Sequence, residues 1–190
     1  MGYGLAVYAV DLDAVAAACG SGDDKVRRMI SGRFRRDIYS TNDQLGWSND
    51  RGADSVFEAI RHLIMGADDM RLPGAMYGYA YKYIIEFHGR FLANDRFMPA
   101  RQSWVSETIQ PQLAAAGVAL NLDALYYGGA PVSFPSPDDF PGYGCWRRDA
   151  IAAALPILRA QPDLSPELAQ IADWLSQAAA ENKDLAAFYH

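Results

Sequence analysis

Cysteine is scarce: the 190-residue chain has only Cys19 and Cys145, far apart. There is no Cys-x-x-Cys and no His/Cys cluster, so the spacing of a structural zinc site is missing. Two distant cysteines are expected as free, buried thiols rather than a disulfide. Histidine is equally sparse, with His62, His88 and His190 and no HExxH, HxH or HxD spacing. Neither a metal nor a cofactor is therefore implied. The chain also lacks a Gly-x-Ser-x-Gly elbow and a phosphate-binding loop, and GYG at 142–144 does not extend to GxGxxG. No run of 18 apolar residues is present, so no membrane span is expected. The opening stretch MGYGLAVYAVDLDAVAAACG has no basic residues, and Asp11 and Asp13 fall where a signal peptide would be apolar. Gly2 has no Ser or Thr at position six to support myristoylation. A cytoplasmic protein is the expectation. Positive charge is the minority, 17 basic against 23 acidic residues and a net charge of −6. A balance of that sign disfavours general nucleic-acid or anionic-membrane binding by the whole molecule.

What is abundant is apolar and aromatic: 51% hydrophobic residues and 12% aromatic. That composition at this length predicts one folded domain, residues 1–190, with a substantial core. The densest aromatic stretch, PGAMYGYAYKYIIEFHG at 73–89, predicts a buried helix over 76–88. Tyr77, Tyr81, Ile84, Ile85 and His88 share one face, and Lys82 and Glu86 form an i, i+4 pair. Residues 2–10 read as a buried strand. Asp11 is placed to cap a short helix at 12–19. A second helix over 22–38, begun by Ser21, carries Val26, Met29, Ile30, Phe34 and Ile38 on its apolar stripe. Residues 40–51 have loop composition around Trp47, and 53–65 read as a helix closed by Gly66. Further helices are expected at 104–116, with Thr108 as N-cap so that Pro111 falls in the first turn, and at 146–160. Ser165 and Pro166 mark the strongest helix start, with Leu168, Ile171, Trp174, Leu175 and Ala178 facing the core. Residues 185–189 are assigned to a strand beside the N-terminal one. Four prolines make 130–144 an extended, ordered loop. About seven helices and two or three strands, without βαβ alternation, predict an α+β fold, mostly helical.

Several patches are familiar together. These are VYAVDLDAV followed by GSGDD, the centre YGYAYKYIIEFHG, the loop PSPDDFPGYG and the end DLAAFYH. They resemble an uncharacterised bacterial family, a domain of unknown function from actinobacterial and other soil-bacterial genomes, and are distantly similar to the small YfbM-like proteins. The resemblance spans nearly the whole chain. It implies a bacterial cytoplasmic single domain, and it transfers no activity and no catalytic residue.

Each chemical candidate has a structural counterpart. The pairs Asp23–Asp24, Asp68–Asp69 and Asp138–Asp139 are the right residue type for a hard cation or shared acid/base work. Adjacent carboxylates usually point apart, however, and caps and turns explain them more simply. Asp138–Asp139 stands out because its proline-rich surroundings predict rigidity. Cys145 precedes Trp146, Arg147 and Arg148, a setting that would activate a thiol at a helix start, although a packed thiol is the commoner case. Lys25, Arg27, Arg28, Arg33, Arg35 and Arg36 put six basic residues within twelve positions of the 22–38 helix. A solvated helix face accounts for them, and a phosphate or nucleic-acid contact is the alternative. Trp47, Tyr143 and Trp146 lie in or beside predicted loops, where exposed aromatics serve recognition.

Three functions follow. The first is a non-catalytic protein that binds a protein partner, immunity-like or accessory, through Trp47, Asp138, Asp139, Tyr143 and Trp146. The second is a small-ligand binder or enzyme with a pocket between the 76–88 helix and the 130–144 loop, using His88, Tyr81 and Asp138 or Asp139. The third is the anion contact through Lys25, Arg27, Arg28, Arg35 and Arg36.

Overall fold

In the computed structural model, which describes residues 3–190, the strand LAVYAV at Leu5–Val10 (β1) has all six residues buried. It runs antiparallel to Asp184–Tyr189 (β4), also buried throughout, in the register Leu5↔Tyr189 to Val10↔Asp184. The expected pairing of the first and last strands is what the structure has. The expected start at residue 2 lies outside the described residues. Two strands that the periodicity missed complete an antiparallel sheet of order β2-β1-β4-β3: Arg90–Phe91 (β2) and Gly142–Trp146 (β3). The fold is thus α+β, as expected, with about half of the described residues helical and four strands rather than two or three.

The helices are α1 (Leu12–Ala18), α2 (Asp24–Arg33), α3 (Arg35–Gln44), α4 (Val56–Met65), α5 (Gly74–His88), α6 (Gln102–Trp104), α7 (Gln110–Ala115), α8 (Asp123–Tyr127), α9 (Arg148–Arg159) and α10 (Pro166–Ala180). A π turn at Val105–Ile109 joins α6 and α7 into one uninterrupted helix. Nine helices therefore stand among the described residues, against about seven expected.

The differences have local causes. The 22–38 helix is two helices, because Phe34 leaves helical geometry at φ −99°, ψ 18° and ends α2 at the start of α3. The N-cap is Asp23, whose carboxylate accepts from the amides of Lys25 and Val26, and Ser21 instead accepts from the Asp23 amide. Met29, assigned to the apolar stripe, is 50% exposed. The loop at 40–51 begins only after Gln44. Ser55 caps α4 by accepting from the Glu58 amide. Together with Glu58 it has the spacing of a capping box. Pro111 sits just beyond the π turn rather than in a first turn opened by Thr108. A turn that already departs from i→i−4 bonding accommodates a residue with no N–H to donate. The helix expected from Trp146 starts at Arg148, because 142–146 pairs with β4.

The described residues cluster in two units. A sheet unit holds the residues up to Leu12, Gly89–Ala130 and Gly142–His190. Its core includes Leu5, Phe97, Trp174, Leu175 and Leu185, and α10 packs on β1 and β4. Ser165 caps α10 as expected, and Leu168, Ile171, Trp174, Leu175 and Ala178 are buried. At one edge of the sheet, Gly142 and Gly144 lie so close to carbonyls of α8 that no Cβ would fit. At the start of β4, Asp184 is fully buried. Its carboxylate accepts from the Leu12 amide (3.0 Å) at the start of α1 and from the Arg148 amide (2.8 Å) at the start of α9, and it pairs with the Arg147 and Arg148 side chains.

A helical unit holds Asp13–His88 and Pro131–Pro141, with α5 packed on α4. Tyr77, Tyr81, Ile84 and Ile85 are buried as expected, and Lys82 reaches Glu86 at 2.7 Å. His62 on α4 faces inward. It is 5% exposed, with Nδ1 2.8 Å from the Tyr77 hydroxyl and Nε2 3.3 Å from a Glu58 oxygen.

Candidate functional site

The segment 131–141 is laid directly along α5. Phe134 packs on Tyr77 and Tyr81 at ring distances of 6.4 and 5.4 Å. A Cβ on Gly74 would overlap the Ser136 carbonyl, and one on Gly78 would meet the rings of Pro137 and Pro141 at 2.9–3.0 Å. Proline supplies rigid apolar edges and glycine removes the side chain opposite, so the two backbones approach closely. At these points the space between the 76–88 helix and the loop is filled. Asp138 and Asp139 remain exposed, and Phe134 and Phe140 are half-buried.

An open concavity of this unit lies nearer the start of α5. Gly46, Trp47, Ser48, Ala53, Asp54, Pro73 and Met76 line a cleft of about 590 Å³, within the size range of ligand sites. Asn42, fully buried on α3, holds the loop that forms it. Its backbone carbonyl accepts from the Trp47 amide (2.7 Å), and its Oδ1 accepts from the Val56 amide (3.2 Å). The Ser48 amide donates to the Asp54 carbonyl, which closes the loop on itself. Trp47 is half-buried, and its ring stands edge-on to Tyr79 at 6.0 Å and 70°. Burial raises the Tyr79 hydroxyl above its ordinary pKa, and the charge of Asp139 adds to that shift. Tyr79 thus touches the Trp47 ring and feels the negative charge of the 131–141 segment. Asp54 is exposed at the cleft.

Of the predicted binding residues, Trp47, Asp138 and Asp139 lie in this unit. Tyr143 and Trp146 do not have the exposure expected of them. They sit in β3 of the sheet unit at 8% and 4% exposure, and the Trp146 indole N–H donates to the Asn121 carbonyl. Their loop assignment failed because 142–146 alternates too weakly around two glycines to show as a strand. Tyr81 is buried against Phe134, while His88 stands seven residues further along α5. The 131–141 segment closes on α5 at Gly74 and Gly78, and His88 lies about 15 Å along the axis from Gly78. Partial burial lowers the His88 pKa, and its Nε2 has no hydrogen-bond partner. Among the described residues no group of three His, Cys, Asp or Glu could hold a metal ion.

The basic residues are partly engaged by neighbours. Arg27 and Arg28 pair with Asp24 and hold its carboxyl below the usual range. Arg33 lies over Phe34 and Phe87, and Arg35 over Tyr39. Lys25 and Arg36 are exposed. Cys19 and Cys145 are free thiols, and burial raises both pKa values, that of Cys19 to about 11. Sequence reasoning missed Asp54 and Met76 as lining residues of the cleft, and Asn42 and Tyr79 as the residues that hold its loop and its Trp47 ring. The available signal was Trp47 itself in a loop rich in Gly, Ser and Asp.

The chain belongs to the DUF7691 family, a domain of unknown function, whose family model matches residues 1–190. No curated protein and no solved structure matches it. Among the described residues, no helix is long and apolar enough to cross a membrane.

Proposed function

For a chain of that family we propose a non-catalytic binding role, immunity-like or accessory, in which a protein partner docks in the Trp47 cleft beside the Asp138–Asp139 tip. The observation that carries this reading is the anchored loop. Asn42 fixes both ends of the Trp47 segment, and Tyr79 braces the indole, so the aromatic wall is held in place before any partner arrives. A pre-set wall lowers the ordering cost of association, and Trp is among the residue types that dominate binding energy. The exposed carboxylates at the tip supply a polar rim.

The test is selection of a displayed random-peptide library on the wild-type protein, with binding re-measured on Trp47→Ala and on the Asp138→Ala/Asp139→Ala double variant. The expected result is peptides that lose at least ten-fold in affinity on Trp47→Ala and a smaller factor on the double variant, with all melting temperatures close to wild type. A library that yields no binders, or only binders indifferent to Trp47, overturns the reading.

A further inference from the structure

Resting on that reading, we infer that the cleft recognises an arginine side chain of its protein partner, with the guanidinium stacked on Trp47 and paired to Asp54. The cleft presents one charge and one aromatic wall. Its one charged lining residue is Asp54, whose exposed carboxylate is unpaired among the described residues. Its aromatic wall is Trp47, the ring type with the strongest attraction for a cation over its face. Tyr79 approaches Trp47 edge-to-face at 6.0 Å and fixes the ring's orientation. Asp139, whose charge reaches Tyr79, adds to the same local sign. The exposed cation on the cleft loop, Arg51, is held 5.0 Å above the Phe57 ring. The whole chain carries a net charge of −6, which favours approach of a basic partner.

Arginine fits this combination better than lysine. Its planar guanidinium stacks on an aromatic face and offers a fork of N–H donors to a carboxylate at the same time, whereas an ammonium is a point charge that holds its water more tightly. Met76 and Pro73 provide apolar surface for the side-chain stem.

The experiment is a titration of the intact protein with N-acetyl-arginine amide, N-acetyl-citrulline amide and N-acetyl-leucine amide. It is followed by NMR through the Trp47 indole N–H and the Ser48 and Ala53 amides. Citrulline keeps the shape of arginine and removes its charge. The expected result is saturable shifts with the arginine amide, at least five-fold weaker binding of the citrulline amide, and a similar loss for arginine on Asp54→Asn. Asp54 is exposed, so this variant leaves the fold intact. On Trp47→Leu, the Ser48 and Ala53 shifts vanish. Equal binding of citrulline or leucine amide overturns the arginine assignment while leaving the docking role in place. No saturable shift with any of the three also overturns it, and the docking role is then decided by the peptide selection alone.

Discussion

Gly78 lies in the middle of α5, where glycine ordinarily weakens a helix and Gly→Ala stabilises it by about 1 kcal/mol. Here the sign should reverse. An added methyl would lie 2.9 Å from Pro137 Cγ and 3.0 Å from Pro141 Cδ and Cγ, against an ordinary contact of 3.4 Å or more. The proline rings must retreat by about half an ångström, and they cannot rotate away as a long side chain would. Overpacking of this kind costs about 1–3 kcal/mol, so the net effect of Gly78→Ala is a loss of up to about 2 kcal/mol. The mechanism is checked in a Phe134→Ala background, where the segment has lost its anchor on Tyr77 and Tyr81 and can shift. There Gly78→Ala should recover much of the ordinary helix gain. Urea denaturation followed by far-ultraviolet circular dichroism measures all four proteins. A stabilised single variant refutes the reasoning, and so does a Gly78→Ala effect that is the same in both backgrounds within about 0.5 kcal/mol.

Asp184→Asn should destabilise the protein by roughly 2–4 kcal/mol, because either orientation of the amide turns its NH₂ toward the Leu12 or the Arg148 N–H. Asp11→Asn, in a partly exposed pair with Arg148 and Lys183, should cost less than about 1 kcal/mol in the same urea titration. For Cys19, burial favours the neutral thiol, so its stabilising effect is complete below pH 9.0 and disappears as pH rises to about 11. Cys19→Ala should flatten this part of the stability profile relative to wild type, and identical alkaline slopes would contradict the assignment. Native Cys19 and Cys145 should also react slowly with a thiol reagent near neutral pH.

The legible parts of the fold were those where one force acts along one element. The apolar period of 76–88 and the Ser165–Pro166 start with its Leu168, Ile171, Trp174 row predict buried helices, and both are found. The run LAVYAV and the closing LAAFY are apolar on both faces, which is the mark of central strands, and they pair. The illegible parts depend on distant partners. Gly32, two residues before Phe34, weakens the helix locally but does not by itself place the break. Gly142 and Gly144 belong in a strand because α8 needs the space above them. His62 turns inward because Tyr77 is there to receive it. At the site, Trp47 was visible by type and position, but Asn42 and Tyr79 come to it from α3 and α5, and Asp54 is brought beside it only by the way the loop closes on itself. Tyr143 and Trp146 look like recognition aromatics only while their strand is unseen.

The pairing of β1 with β4 has a consequence for the order in which the protein can be made. Leu12 and Asp184 meet across 172 residues, and every partner of β4, on either side of it, is synthesised earlier than β4 itself. On the ribosome, the buried edge of LAVYAV therefore waits without its central partner until residues 184–189 have emerged. Closing so long a loop costs about 2.5 kcal/mol more than closing one of ten residues, which places the sheet late in folding. The helical segments between 13 and 88 have no such dependence on the last strand. They can form while β1 still lacks β4, and during that interval β1 is an apolar strand open to association with other chains.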